Sequence, residues 1–241
     1  MEVALFVPCM IDQFRPSTAR NAVEILERLG LSVKCFPDQT CCGQPLYKSG
    51  YRRKTLKLAK NVIRLFENAE YMVIPSGSCV AMIRKEYPEL LQDQGRWLDR
   101  AIDLSSKVFE LTEFICRILR TEDLGAAYPG KVTFHDSCQV SRALGITEEP
   151  RRLLANVKGL ELIEMDKPNL CCGFGGTFSI KYPWISTAMR EEKIARIEAT
   201  GAEALVSCEP SCLMHIENGL RQKGLKIPVL HIVDILHSKG S

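Results

Sequence analysis

Eight of the 11 cysteines in this chain fall into two sets of the same design. Cys9 is followed after thirty-one residues by Cys41-Cys42, and after thirty-six more by Cys79. Cys138 is followed after thirty-two residues by Cys171-Cys172, and after thirty-nine more by Cys212. Each pair runs directly into a glycine, Gly43 or Gly173. Thiolates are soft donors, so four of them converging on one point suit zinc or an iron–sulfur cluster. A structural zinc site normally uses two Cys-x-x-Cys knuckles, whose spacing lets both sulfurs reach one small ion. Adjacent cysteines point their side chains apart and better serve a multi-iron centre with several attachment points, although ferredoxin spacing is also missing. The reading is an iron–sulfur centre, with a zinc-stabilised scaffold and direct thiol–disulfide chemistry as alternatives. A glycine after each pair lets the backbone bend sharply and approach such a centre closely.

The elements that must position these cysteines repeat as well. Val3 to Cys9 (VALFVPC) and Val132 to Cys138 (VTFHDSC) are short β-favouring runs that end on a cysteine. Helical spacing follows at Ala19, Val23, Ile25, Leu26 and Leu29, and again at Leu153, Leu154 and Val157, closing on Gly30 and Gly159. Second strands at Leu31–Val33 and Leu160–Leu162 lead to the two Cys-Cys-Gly turns. Helices at Leu56–Phe66 and Met189–Ile197 precede third strands, Tyr71–Ile74 and Ala204–Val206, which run into Cys79 and Cys212. A last strand and helix begin at Val108 and Val229, and the first half carries extra residues around Tyr87–Lys107. This alternation predicts an α/β fold of two tandem pseudo-symmetric repeats, each a small parallel-sheet, Rossmann-like unit. The cysteines should gather at the strand C-terminal ends, where such sheets collect functional groups. A turn-rich stretch, Thr121–Gly130, sets the expected boundaries at 1–122 and 123–241.

Composition narrows the classes. The 241 residues are 46% hydrophobic and 25% charged with a net charge of +3, an ordinary globular balance. The basic residues are scattered, so no nucleic-acid patch is expected. The N-terminus shows no secretory signal and no apolar run is long enough for a transmembrane segment. A cytoplasmic location follows, where cysteine clusters bind metal or do redox chemistry more often than they form disulfides. Gly173-Phe-Gly175-Gly176 fails as a phosphate loop because Phe178 stands at the third glycine position. No hydrolase triad, flavin or nicotinamide fingerprint appears, so the chain alone lacks the means to take hydride from a substrate.

Other residues receive blander readings. Cys35 and Cys116 are expected in the core, and Cys208 as a packed thiol. His135 is expected to be a buried, hydrogen-bonded histidine, and His215 to lie on a helix face. Asp136 and Glu209 read as loop or cap residues.

With both Cys-Cys-Gly units in view, the chain resembles the cysteine-rich CCG-domain family over essentially its whole length, most closely its lactate-utilization branch. The resemblance is carried by Cys41-Cys-Gly-Gln-Pro45, Pro75-Ser-Gly-Ser-Cys79, Cys171-Cys-Gly-Phe-Gly-Gly-Thr-Phe-Ser179 and Ser211-Cys-Leu-Met214. It implies a [4Fe-4S] type of cluster, one or two per chain, held by Cys9, Cys41, Cys42 and Cys79 and by Cys138, Cys171, Cys172 and Cys212. It further implies an electron-transfer subunit of a complex oxidising L-lactate to pyruvate, with partner subunits that include a ferredoxin-type iron–sulfur protein. Heterodisulfide reductase subunits in the same family end each motif in Cys-x-x-Cys. Here Ser76 and Met82 flank Cys79, and Glu209 and His215 flank Cys212, so a fifth cysteine ligand is lacking in both halves and heterodisulfide chemistry is not implied.

Overall fold

The computed structural model describes residues 1–239, and the expected end of the second repeat at Ser241 lies outside them. The chain divides into two compact units, Met1–Phe114 and the residues from Ile115 on. The first holds β1 (Glu2–Leu5), β2 (Ser32–Cys35), β3 (Met72–Ile74) and β4 (Val108–Glu110) in the order β2-β1-β3-β4. The second holds β5 (Ala127–Phe134), β6 (Lys158–Leu162), β7 (Ala204–Ser207) and β8 (Val229–His231) in the order β6-β5-β7-β8. All strand pairs are parallel, so each unit is the Rossmann-like sheet that the alternating pattern predicts. In this order the chain switches direction between the first and third strands of each unit, where open α/β sheets form a crevice at their C-terminal edge.

The central strands are apolar because both faces are covered. Val3, Leu5, Met72, Val73 and Ile74 are completely buried in the first unit, as are Leu205 and Val206 in the second. The edge strand β2 is largely exposed. Cys35, at its end, is therefore exposed, which corrects the expected core position: the residue ends an edge strand and faces outward. Cys116 and Cys208 are buried as expected.

The principal helices match across the units. Arg52–Phe66 buries Thr55, Ala59, Val62, Ile63 and Phe66, and Pro183–Ala199 buries Ser186, Arg190, Lys193, Ile194 and Ile197 at the same spacing. The register agrees but the chemistry does not, since Arg190 and Lys193 stand where the first unit has Ala59 and Val62. One turn differs from expectation. The helix Glu148–Ala155 ends before Gly159, which instead lies within β6 at φ +80°. A Cβ there would sit 3.3 Å from the Pro129 backbone, beside the irregularity between Ala127 and Gly130 in β5.

Candidate metal centres

In each unit the cysteines lie just beyond the strand ends. Three residues separate β1 from Cys9 and β5 from Cys138. Cys9 opens the helix Cys9–Phe14, Cys79 is in the first turn of Gly77–Ala81, and Cys212 is in the first turn of Pro210–Gln222. Both Cys-Cys-Gly turns place glycine in the left-handed region, at φ +88° for Gly43 and +86° for Gly173.

The eight predicted residues are brought together four by four. In the first unit Cys9 and Cys41 sulfurs are 3.6 Å apart and Cys42 and Cys79 sulfurs 3.4 Å apart. In the second, Cys172 and Cys212 sulfurs are 3.2 Å apart, and Cys138 is within hydrogen-bonding reach of Cys171. All are free thiols, well beyond the about 2.05 Å of a disulfide. Each set has the same exposure: the second cysteine of the pair and the one after the third strand are buried, and the other two are half-buried. One edge of each sulfur cluster therefore faces outward.

Crowding orders the thiols. Cys41 is pulled down to about 3 by the neighbouring thiols Cys42 and Cys9, of which Cys9 donates to it at 3.6 Å, and by the Gly43 amide, which donates at 3.4 Å. Cys171 is pulled down to about 2 by Cys138 and Cys172, with the Gly173 amide at 3.4 Å. Their neighbours Cys9, Cys42, Cys138 and Cys172 are pushed up by these thiol contacts and by burial. A cationic centre that ionises all four removes this conflict.

The supports of the two turns differ. The Tyr87 hydroxyl, fully buried, donates to the Cys42 carbonyl at 2.8 Å, so the extra segment of the first half supplies a clamp. In the second unit the Ser186 hydroxyl donates to the Gly173 carbonyl at 2.8 Å, and the His215 Nε2 lies 3.3 Å from the same hydroxyl. His215 thus supports the turn from its helix. Glu209 caps the helix Pro210–Gln222, and Asp136 pairs with Arg151 at 2.9 and 3.1 Å, as their loop and cap readings expect.

His135 differs from expectation. It is buried, 1% exposed, and neither ring nitrogen makes a hydrogen bond of good geometry, with the Pro168 carbonyl beside the ring. It joins Cys172 and Cys212 in a group whose ligand atoms all lie within 4.8 Å of one another. Burial, reinforced by the Lys193 charge, pushes its pKa down to about 3 and keeps the ring neutral. Lys193 is a residue that sequence reasoning passed over. Its side chain runs through the core to donate to the Pro168 carbonyl at 3.0 Å and the Lys167 carbonyl at 3.3 Å. Burial pushes it down to about 8. Aligning the two helices would have exposed it as a lysine in a core register.

Two parallel α/β units, each with four thiols gathered beyond its strand ends, define a tandem cysteine-rich domain protein. The cysteine-rich (CCG) domain family matches residues 3–84 and 132–217, one match in each unit. Lactate utilization protein A of Shouchella clausii (strain KSM-K16) is 49% identical over 99% of this chain and 100% of its own length. Its namesake in Bacillus subtilis (strain 168) is 46% identical over the same shares. Among solved structures, a hypothetical protein from Helicobacter pylori shares the fold at a TM-score of 0.67 and 14% identity. All of this chain is covered in that match, but only 49% of the other. The chain belongs to the lactate utilization protein A family of CCG-domain proteins.

Proposed function

We propose that the chain is an iron–sulfur electron-transfer subunit of a multi-protein system that oxidises L-lactate to pyruvate. The observation that carries this reading is the convergence of four thiols in each unit, Cys9, Cys41, Cys42 and Cys79 in one and Cys138, Cys171, Cys172 and Cys212 in the other. These eight are the ligands of the proposal, holding a [4Fe-4S] type of cluster in each unit. The lactate assignment comes from the relatives' name. The donor set fits the group: soft, crowded thiols, two of them poised to ionise, with the Gly43 and Gly173 amides donating to sulfur, a contact that tunes such centres.

When bound, the cluster supplies one-electron redox chemistry. The chain's own part would be to hold it, with Cys42, Cys79, Cys172 and Cys212 buried and the Cys9–Cys41 and Cys138–Cys171 edges half-exposed for exchange with a partner. Ile180, Tyr182, Trp184 and Ile185 are exposed apolar side chains a few residues past the second Cys-Cys-Gly turn. Such clustering is a mark of partner surfaces and supports work alongside other subunits, a ferredoxin-type iron–sulfur protein among them. No described helix is long and apolar enough to cross a membrane, which is compatible with the cytoplasmic setting proposed here.

The test is anaerobic purification with iron and acid-labile sulfide analysis and EPR of the reduced protein. Two clusters' worth of both elements per chain is the expected result. Stoichiometric zinc without sulfide would replace the reading with a structural metal site.

A further inference from the structure

The two units share a backbone, but one position at the rim of the sulfur cluster has changed its chemistry. The Phe6 amide donates to the Val73 carbonyl at 3.0 Å, and the His135 amide donates to the Val206 carbonyl at 2.9 Å. Both residues follow directly on the first strand of their unit and both are buried. Phe6 packs on Phe66, ring centroids 5.6 Å apart. His135 has instead two polar atoms in the core.

A neutral imidazole has one N–H to donate and one lone pair to fill, and leaving either unmet in the interior carries the full desolvation penalty of that group. The Pro168 carbonyl lies beside the ring, although it already accepts from the Asp136 amide at 3.1 Å and from Lys193 at 3.0 Å. With both lone pairs already engaged, it can meet the imidazole N–H only by sharing. The remaining lone pair has no donor among the described residues, while the ring sits within 4.8 Å of the Cys172 and Cys212 sulfurs. Those two thiols are the buried pair of the second centre. A metal ion among three such atoms answers the lone pair and both thiolates at once. Metal-bound histidines commonly turn their other N–H to a backbone carbonyl, which fixes the tautomer, and the Pro168 carbonyl, shared with Asp136 and Lys193, is the one beside this ring.

The histidine is also rigidly held. Its carbonyl accepts from the Ser207 hydroxyl at 2.8 Å, and the next residue, Asp136, is locked by Arg151 at 2.9 Å. Preorganisation of this kind is what a ligand position requires.

We propose that His135 is a nitrogen ligand of the second unit's metal centre and takes the place there of one of the four thiolates, which makes that centre a mixed imidazole–thiolate site while the first, with Phe6 in the same place, is bound by its four thiolates alone. The proposal rests on the reading that the second unit holds a metal. A neutral imidazole in a thiolate shell raises the reduction potential of an iron–sulfur centre, so the two centres of one chain would differ in potential, with the second the higher.

The full chain, purified anaerobically, is examined by X-ray absorption at the edge of whichever metal it holds. Reduced samples grown with unlabelled or 15N-labelled histidine are compared by pulsed EPR. Imidazole scattering, and nitrogen modulation that follows the isotope, are expected in the wild type and in His215→Gln and lost in His135→Gln. A bound metal with sulfur scattering only, or a nitrogen signal that survives His135→Gln, overturns the ligand assignment and leaves the metal reading standing. Absence of any bound metal overturns both.

Discussion

Val62 and Lys193 occupy the same register of the two matching helices, each completely buried, so the second unit carries an ammonium group where the first carries two methyls. The Lys193 chain donates to the carbonyls of Lys167 and Pro168, in the loop that leads to Cys171. Its charge senses Cys172 and Cys212. A buried cation near a metal–sulfur centre favours the more negative, reduced form. The two units are thus one scaffold with two electrostatic settings, and the difference lies in a few side chains rather than in the backbone.

Replacing the ammonium by an apolar chain of similar length tests this setting. Lys193→Met should lower the midpoint potential of the second centre and leave the first unchanged, as read by EPR-monitored redox titration. Equal potentials in wild type and variant would mean that the charge is screened from the centre.

Loss of one deep ligand should empty one unit only. Cys42→Ser and Cys172→Ser should each cut iron and sulfide to roughly half, since binding within one unit is cooperative with its own ligands. Cys35→Ser, at an exposed strand end, should leave the iron content intact. Elemental analysis alongside protein concentration reads all three, and full iron retention in either ligand variant would argue against that thiol.

The glycines of the two turns should not be equally tolerant. Both lie at positive φ, where an added Cβ costs about 1–2 kcal/mol. At Gly43 the Cβ would come within 3.1 Å of a Thr55 methyl, whereas at Gly173 it would be 2.5 Å from the Ser186 carbonyl oxygen and 2.9 Å from the Met189 Cβ. Gly43→Ala should therefore destabilise by about 1–2 kcal/mol and Gly173→Ala by more than about 3 kcal/mol. Chemical denaturation of the metal-free proteins separates the two, and similar losses would show that the Ser186 region gives way.

Much of this could be read from the chain beforehand because the signals are local. Strand-ending cysteines, helix periodicity and the doubled turn announce both the parallel α/β units and the grouping of Cys9, Cys41, Cys42 and Cys79 and of their four counterparts. What escaped notice depends on tertiary register. Lys193 and Arg190 look like ordinary polar residues of an amphipathic helix until packing turns them inward, against Cys172 and Gly219. His135 reads as a core histidine until its ring proves to lack partners. Cys35 misleads in the opposite sense, since an apolar residue type says little at the end of an edge strand.

The buried end of β4 should make the stability of the first unit pH-dependent. Glu110 is completely buried and caps the next helical turn, its Oε2 accepting from the amides of Thr112 at 2.7 Å and Glu113 at 3.4 Å. Its Oε1 has no partner among the described residues. Burial outweighs the cap and pushes the carboxyl up from near 4.5 to about 7. Between these values the folded chain holds a proton that the unfolded chain has released, so stability falls as pH rises. The protonated form's contribution is fully present below about pH 4.5 and is lost as pH passes through 7. The full swing is up to about 3 kcal/mol, reduced to the extent that the fold opens to admit water. Glu110→Gln keeps a carbonyl oxygen for the cap and cannot ionise. Urea midpoints of the metal-free protein at pH 5 and pH 8 should therefore fall in the wild type by more than in the variant, with the variant the more stable of the two at pH 8. Parallel losses in both proteins would show that Glu110 ionises at its ordinary value and that the cap's donors, the Thr112 and Glu113 amides with the Thr112 hydroxyl, suffice to hold the charge.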